Sequence, residues 1–198
     1  MATASVRIAS PRDVPYIASM IAQLAKFERL ADACVGTEEQ YRSTLFNAPA
    51  FQGLTVLLLE ISRSSASNAA AGDCLASQEV EIGAEIADPD KDFFTSDSGR
   101  IVAGFVLFFP NYSTFLAKPG LYIEDLFVRE PYRRQGLGRI LLRTVAKEAA
   151  NRGLGRVEWC VLDWNENAIK FYQEMGALVL PEWRICRLTG DALKAYGT

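Results

Sequence analysis

LYIEDLFVREPYRRQGLGRILL, residues 121–142, is the stretch of this sequence that decides its fold. Residues 121–128 alternate in the way of a half-buried strand, and a turn follows at residues 129–131. The loop RRQGLG, residues 133–138, then leads into an amphipathic helix. A strand, a glycine loop and a helix N-terminus in succession expose free backbone N–H groups beside the positive end of the helix dipole. The stretch therefore predicts a site for a bound phosphate group.

The loop supports an anion site, but a bare Gly-x-Gly is equally typical of a tight turn between a strand and a helix. Gly136 and Gly138 lack a Cβ, so the backbone can approach an anion closely. Basic residues surround the loop and two carboxylates lie upstream in the strand: Arg129, Arg133, Arg134, Arg139 and Arg143, with Glu124 and Asp125. A P-loop would need Lys where this chain has Arg139, and a dinucleotide loop would need a third glycine where it has Leu141.

Length, composition and net charge limit the classes of protein to which this chain can belong. With 198 residues, of which 49% are hydrophobic, the chain is long enough for one globular domain with a substantial core. The net charge of −3 argues against nucleic acid as a partner, whereas a local arginine cluster in an acidic protein suits an anionic cofactor and a cationic substrate. No apolar run approaches the ~18 residues of a membrane span, and strand-like sequence begins by residue 5, so we expect neither a membrane segment nor a leader.

The histidine and cysteine content limits which groups can transfer protons, form disulfides or bind a metal. The chain has no histidine, so proton transfer must use carboxylate, tyrosine, cysteine, lysine, backbone or water. Its cysteines, Cys34, Cys74, Cys160 and Cys186, are widely spaced with no Cys-x-x-Cys pair. This spacing favours free thiols in a reducing compartment over disulfides or a metal site. We therefore expect a cytoplasmic protein that binds no metal.

The remaining patterns predict a mixed α/β order within one domain, residues 5–198. Helices are expected at residues 11–28, 41–46, 138–151 and 166–175 and after 190, and strands at 5–8, 54–61, 79–86, 100–109, 156–162, 178–180 and 183–188. Residues 62–76 are rich in Ser, Ala, Asn and Gly and residues 88–99 are polar, which predicts a flexible insertion at about residues 62–99. Residues 112–120 are expected to form a flexible loop.

The loop resembles Arg/Gln-x-x-Gly-x-Gly/Ala, the pyrophosphate loop of the GNAT acetyltransferases, and the resemblance extends over nearly the entire chain. It implies a GNAT fold, an α/β architecture in which a mixed central sheet with splayed parallel strands is flanked by helices. It also implies acetyl-CoA as cosubstrate, with the loop amides at the pyrophosphate and the preceding strand along the pantetheine arm. The implied cofactor contacts are Leu126, Phe127, Val128, Arg133, Arg134, Gln135, Gly136, Leu137, Gly138 and Arg139.

The sequence NENAIKFYQEMG, residues 165–176, resembles the second signature of that family, Asn-x-x-Ala/Ser-x-x-Phe-Tyr-x-x-x-Gly. In relatives the Asn contacts pantetheine and the Tyr lies beside the cofactor sulfur, which implies these roles for Asn165 and Tyr172. Asn167 and Ala168 join the implied cofactor contacts. The alternative is structural, with Asn165 as a helix N-cap and the aromatic pair in the core.

Glu124 and Asp125 together with Glu28, and the segment at residues 182–191, resemble one branch of the family. This branch holds the diamine acetyltransferases of the spermidine/spermine and thialysine type, and the chain looks most like plant members that acetylate ornithine or short diamines. The implied amine site comprises Phe27, Glu28, Glu124, Asp125, Glu158, Trp159 and Cys160. The chain departs from the animal enzymes in its longer insertion and in Phe27, which stands where they have another aromatic residue.

The implied reaction is direct acetyl transfer to a primary amine of ornithine, thialysine, 1,3-diaminopropane or a polyamine. Glu124, acting through water, would draw protons from the substrate ammonium, and Tyr172 would protonate the departing sulfur. A backbone bulge near Leu126 and Phe127 would supply oxyanion N–H groups. Glu28 and Asp125 would hold the distal ammonium or amino-acid end of the substrate.

Three alternatives stay open at this point. The two strand carboxylates would be ordinary strand-end groups paired with arginines, the enzyme would acetylate protein N-termini or lysines, or the chain would be an inactive acetyl-CoA-binding sensor. The resemblance also implies a homodimer, because the family pairs through its C-terminal strands and residues 178–188 are apolar with Trp183 among them. We expect no nucleic-acid or membrane partner.

Overall fold

The computed structural model describes residues 1–63, 74–83 and 86–197. The chain divides into two compact units, Met1–Cys160 and Val161–Thr198, and each is described by itself. The single domain expected from the sequence stays a prediction. No helix in the described residues is long and apolar enough to cross a membrane.

The first unit is built on a six-stranded sheet with the order β3-β1-β2-β4-β5-β6. The strands are β1 Ala2–Ile8, β2 Thr55–Ser62, β3 Cys74–Val80, β4 Ile101–Ser113, β5 Lys118–Val128 and β6 Val157–Trp159. The helices are α1 Val14–Phe27, α2 Glu38–Thr44 and α3 Leu137–Asn151. All neighbouring strands are antiparallel except β5 and β6, which are parallel. The mixed sheet flanked by helices confirms the predicted α/β class.

The two faces of the sheet carry different helices. Val56 and Leu58 of β2 lie in one buried cluster with Ile17 and Met20 of α1. Alternate residues of β2 point to the opposite face, where α3 covers the sheet and buries residues such as Leu141. Both faces of β2 are therefore buried, one under the apolar side of α1 and the other under the apolar side of α3.

The hairpin of β4 and β5 is longer than the sequence predicts. We expected a strand ending at residue 109 and a flexible loop at 112–120, but β4 continues to Ser113 and turns directly into β5. Pro110 lies inside β4, opposite Leu121. Proline is a poor guide to a strand end here because a strand tolerates it wherever its missing N–H is not needed by the ladder.

The predicted insertion at residues 62–99 is also corrected where the structure describes it. Cys74–Val80 forms β3, an edge strand antiparallel to β1, and Phe94 is fully buried in the core. An edge strand needs hydrogen bonds from only one neighbour, so small and polar residues can form one without a strong hydrophobic signal. Residues 64–73 and 84–85, which also belong to the predicted insertion, lie outside the described residues.

The second unit contains the helices α4 Glu166–Glu174 and α5 Gly190–Lys194. The strands predicted at residues 178–180 and 183–188 do not form, and residues 161–197 contain no strand. A strand requires a neighbour that accepts and donates its backbone hydrogen bonds, and this unit offers none. The strand predicted at 156–162 is shortened to β6 for the same reason, since its pairing with β5 covers three residues.

Candidate active site

Glu124 occupies a bulge in the middle of β5. Leu107 of β4 lies opposite Asp125 and the next residue, Phe108, lies opposite Ile123, so Glu124 is the extra residue of the pair. A bulge re-aims side chains and interrupts the ladder. This is a correction, because the bulge was expected near Leu126 and Phe127 and lies upstream of them.

The parallel pairing of β5 and β6 ends immediately before this bulge. β6 pairs with β5 from Leu121 to Ile123, and no described strand occupies the β6 side of β5 beyond that point. The edge at residues 124–128 therefore presents backbone groups that an extended ligand can satisfy as an added strand, although the Val128 carbonyl already accepts a hydrogen bond from Arg133. Leu126 and Val128 are half-buried on this edge, whereas the Phe127 side chain is buried in the core.

Three carboxylates form an acidic cluster, defined here as Glu28, Glu124 and Asp125. Burial raises the pKa of Asp125 to about 6, and the negative charges of Glu124 and Glu28 contribute to the rise. Burial also raises the pKa of Glu28, which caps the C-terminus of α1. Two negative charges that raise the pKa of a buried carboxyl beside them create a field that favours a cation. Glu124 itself is exposed.

The glycine loop has the geometry of an anion site. Gly136 adopts φ 75° and ψ 1° in the left-handed region, and α3 begins at the next residue with no side chain capping its N-terminus. A Cβ built on Gly136 meets nothing within 4 Å, so the space in front of the loop is open. The amides of Arg139 and Ile140 already donate to the Gly136 carbonyl, at 3.1 and 3.3 Å. Those of Leu137 and Gly138 are left for a ligand by the geometry of a helix start.

The side chains of the loop divide into exposed and anchored ones. Arg134 is exposed and is held at φ 61°, in the left-handed region that favours glycine. Leu137 is buried and fixes the start of α3, while the half-buried Gln135 donates to the carbonyl of Pro131 at 3.4 Å. Arg139 is half-buried in the first turn of α3. The loop therefore offers an anion mainly backbone N–H groups.

Two arginines near the loop, Arg129 and Arg133, make contacts within the protein. Arg129 is buried, and its guanidinium donates to the Asp88 carboxylate at 2.9 Å and stacks 3.6 Å from the Phe94 ring centroid. Arg133 donates from Nε to the Val128 carbonyl at 2.9 Å and packs against aromatic rings. Arg129 is thus a structural cation of the core and no part of a phosphate site.

The predicted amine-site residues in β6 and just after it lie near Tyr122. The Glu158 carboxylate is 2.8 Å from Arg156 Nε and accepts a hydrogen bond from Asn111 at 2.9 Å, so its charge is largely compensated. Trp159 is half-buried, and Cys160 is exposed and accepts a 3.1 Å hydrogen bond from the Tyr122 hydroxyl. Burial raises the pKa of Tyr122 and keeps the phenol neutral.

Two tyrosines near the carboxylates were missed by the sequence analysis. Tyr122 precedes Glu124 by two residues, and strand alternation was a signal that could have placed it on the same face. Tyr41 of α2 has its pKa raised by burial first, and the nearby groups Cys34 and Asp125 add to the rise. No local pattern connects α2 with β5, so nothing in the sequence pointed to Tyr41.

In the second unit, Asn165 caps α4. Its side-chain oxygen accepts a 3.3 Å hydrogen bond from the Ala168 amide, which is the structural role weighed above. Asn167 is exposed, and the rings of Phe171 and Tyr172 lie 5.2 Å apart at 51°. The cofactor roles of these residues stay predictions.

Comparison with known proteins identifies relatives of the whole chain. Residues 59–177 match the Acetyltransferase (GNAT) family. The chain is 55% identical to the L-ornithine N5-acetyltransferase NATA1 of Arabidopsis thaliana, over 96% of this chain and 86% of that protein. It is 34% identical to tyramine N-feruloyltransferase 4/11 of Nicotiana tabacum, with 96% and 89% covered. It is 28% identical to thialysine N-epsilon-acetyltransferase of Bos taurus, with 98% and 97% covered.

Solved structures share the fold. An integron cassette protein from the mobile metagenome of V. cholerae superposes with a TM-score of 0.64 at 18% identity, covering 97% of this chain and 96% of that one. An aminoglycoside acetyltransferase from an uncultured soil sample gives a TM-score of 0.62 at 14% identity, with 94% and 95% covered. At these identities the likeness concerns the fold alone, and it confirms the predicted architecture.

Proposed function

We propose a substrate and a set of residue roles for this chain, which belongs to the GNAT acetyltransferase family and is an acetyltransferase. In this proposal it transfers the acetyl group of acetyl-CoA directly to a primary amine of a small diamine or diamino acid, with ornithine as the first candidate. The acidic cluster of Glu28, Glu124 and Asp125 is the observation that carries the proposal. The 55% identity to a protein named L-ornithine N5-acetyltransferase supports it.

The cofactor is assigned to the glycine loop and the open edge of β5. Amides at Leu137 and Gly138, together with the positive end of α3, bind the diphosphate. The backbone of residues 126–128 takes the pantetheine arm as an added strand. Acetyl-CoA supplies an activated thioester, and the residues of the chain orient it and move protons.

The three carboxylates have different roles, since two bind the substrate and one transfers a proton. A negative field binds a dication well, but it also opposes loss of a proton from the amine that must react. We therefore assign the distal charge of the substrate to Asp125 and Glu28. Glu124, exposed at the bulge, draws the proton from the reacting ammonium through water. Tyr172 gives a proton to the departing sulfur.

An amine panel with acetyl-CoA, scored by kcat/KM, tests this proposal. Ornithine, thialysine, 1,3-diaminopropane, putrescine and spermidine are compared with n-butylamine, which has one charge and similar length. We expect the best dication to exceed the monoamine by roughly 10- to 100-fold, because a second charge interaction is worth ~1.4–2.8 kcal/mol.

Tyramine with feruloyl-CoA and a panel of short peptides complete the experiment. A highest kcat/KM on tyramine would point to aromatic amine acylation, as in the name of the Nicotiana relative. A highest value on peptides would point to a protein acetyltransferase. Binding of acetyl-CoA without turnover of any amine would leave an inactive sensor. Each of these outcomes contradicts the diamine proposal.

A further inference from the structure

Arg133 connects three elements around the site. It is the first residue of the glycine loop, and its Nε donates to the Val128 carbonyl at the end of β5 at 2.9 Å. Its guanidinium carbon lies 4.9 Å from the ring centroid of Phe27, the last residue of α1. The same atom lies 5.2 Å from the ring centroid of Phe127.

These contacts define what the Arg133 side chain can do. Both rings lie within the ~6 Å at which a cation is attracted to an aromatic face. Burial lowers the pKa of Arg133, so the guanidinium is partly removed from water, while the negative charge of Glu130 opposes this shift. With Nε committed to the strand carbonyl, the side chain behaves as a packed cross-link. Arg134, the next residue, is the arginine that the loop exposes to solvent.

The cross-link ends beside the acidic cluster. Phe27 is followed directly by Glu28, whose carboxylate influences the pKa of Asp125. The Arg133 side chain and the Phe27 ring therefore form a continuous path of contacts from the loop to the residue that caps α1. The loop contains two left-handed residues, Arg134 and Gly136, and this backbone region is uncommon for a residue that carries a side chain, as Arg134 does.

We propose that the contact between Arg133 and Phe27 couples the two binding sites, so that a filled glycine loop increases the affinity for the cationic amine. This inference rests on the proposed function. Arg133 is in this view a positioning residue and does not act as a phosphate ligand. Thermodynamic linkage requires that the amine increase the affinity for the cofactor by the same factor.

Calorimetric titration of ornithine tests the coupling, with and without saturating free coenzyme A, which lacks an acetyl group and gives no turnover. For the unmodified protein we expect the ornithine Kd to fall about 5- to 10-fold when coenzyme A is present, within the usual range of such couplings. The coupling ratio is the ornithine Kd without coenzyme A divided by the Kd with it. In Phe27→Leu, which keeps apolar volume but loses the ring face, this ratio should fall to about 1. The reverse titration of coenzyme A should lose the same factor.

A second cation–aromatic pair in the same unit provides the control. Arg152 lies 3.9 Å from the ring centroid of Phe51, and Phe51→Leu should leave the coupling ratio unchanged. Arg133→Lys keeps the charge but loses the planar stack, and it should lower the ratio even if Phe27→Leu fails to fold. A general loss of stability would change the coupling ratio in Phe27→Leu and in Phe51→Leu alike. A change in Phe27→Leu alone therefore indicates coupling.

The outcomes distinguish this inference from the proposed function. Coenzyme A that does not bind the unmodified protein would overturn the proposed function. If coenzyme A and ornithine both bind but the coupling ratio is 1, only the coupling is overturned. The same holds if Phe27→Leu keeps the ratio of the unmodified protein. Arg133→Lys that weakens coenzyme A without changing the ratio would make Arg133 a phosphate ligand.

Discussion

In the proposed function, the charge state of Asp125 decides how strongly the acidic cluster attracts an amine. Its pKa of about 6 lies well above the usual range of an aspartate because the carboxyl is buried first and faces Glu124 and Glu28 second. At pH 7 the group is mostly ionised, and it becomes neutral as the pH falls through 6. A bound ammonium would lower this pKa again, since it favours the charged form.

The ornithine KM should therefore depend on Asp125 below neutral pH. Between pH 7 and pH 5 we expect the KM of the unmodified enzyme to rise about tenfold relative to that of Asp125→Asn, which has no carboxylate to protonate. Glu124, Glu28 and Tyr41 remain in the variant and cancel in the comparison. The measurement is KM at saturating acetyl-CoA across this range, and parallel profiles of the two proteins would contradict the assignment.

Glu124 differs from Asp125 in exposure and in its place at the bulge, and so it is assigned the proton transfer. Glu124→Gln keeps the shape and removes the base, and it should lower kcat/KM by roughly 10²- to 10⁴-fold. Glu38→Gln, an exposed glutamate of α2, is the matched control and should leave kcat/KM unchanged. An undiminished kcat/KM in Glu124→Gln would dismiss the base assignment.

Among the elements, the segment around Asp88 holds the start of the glycine loop in place. Its carboxylate accepts hydrogen bonds from the Arg129 guanidinium and from the Tyr132 hydroxyl, both at 2.9 Å. The charged side chains are only 1% exposed. Arg129 and Tyr132 lie between the end of β5 and the loop, so the ion pair fixes the approach to the loop.

Asp88→Asn should destabilise the protein by about 3 kcal/mol, because it leaves a buried guanidinium without a compensating charge. The free energy of unfolding from urea titration is the measurement. Asp92→Asn, a nearby exposed aspartate, should change it by less than ~0.5 kcal/mol. Equal stabilities of the two variants would mean that the ion pair contributes nothing beyond its packing.

Features that depend on residues close together in the sequence could be predicted, and features that depend on residues far apart in the sequence could not. The strand, loop and helix at residues 121–142 form as expected, because alternation, glycine and helical period are local signals. The strand predicted at residues 79–86 lies instead at Cys74–Val80, as β3, and the ion pair of Asp88 with Arg129 was not predicted. In both cases the partners lie far away in the chain. The bulge at Glu124 was misplaced because register is set by the neighbouring strand, which the sequence of β5 does not contain.

At the scale of the whole molecule, the C-terminal segment exposes large apolar side chains. Leu178 is 88% exposed, Trp183 71% and Ile185 66%. Contiguous apolar exposure of this kind marks association surfaces in proteins. We propose that residues 178–188 pair with a second copy of the chain, as the family resemblance implies.

Sedimentation equilibrium of the purified protein tests this assembly. The expected mass is twice that of one chain at micromolar concentration, and Trp183→Glu should shift it toward one chain by placing a charge in an apolar contact. Tyr112→Glu, an exposed aromatic of the hairpin outside this segment, should leave the mass unchanged. A mass of one chain for the unmodified protein would contradict the homodimer.

Calorimetric titration of acetyl-CoA into the folded protein in the absence of amine tests the central claim most directly, namely that the loop between β5 and α3 binds the diphosphate of this cofactor. We predict one acetyl-CoA per chain with a Kd between about 1 µM and 1 mM. We also predict at least a tenfold loss of affinity in Gly136→Val, because a branched side chain is strained at φ 75° and would fill the open space before the loop. Folded protein that shows no binding of acetyl-CoA would contradict the claim.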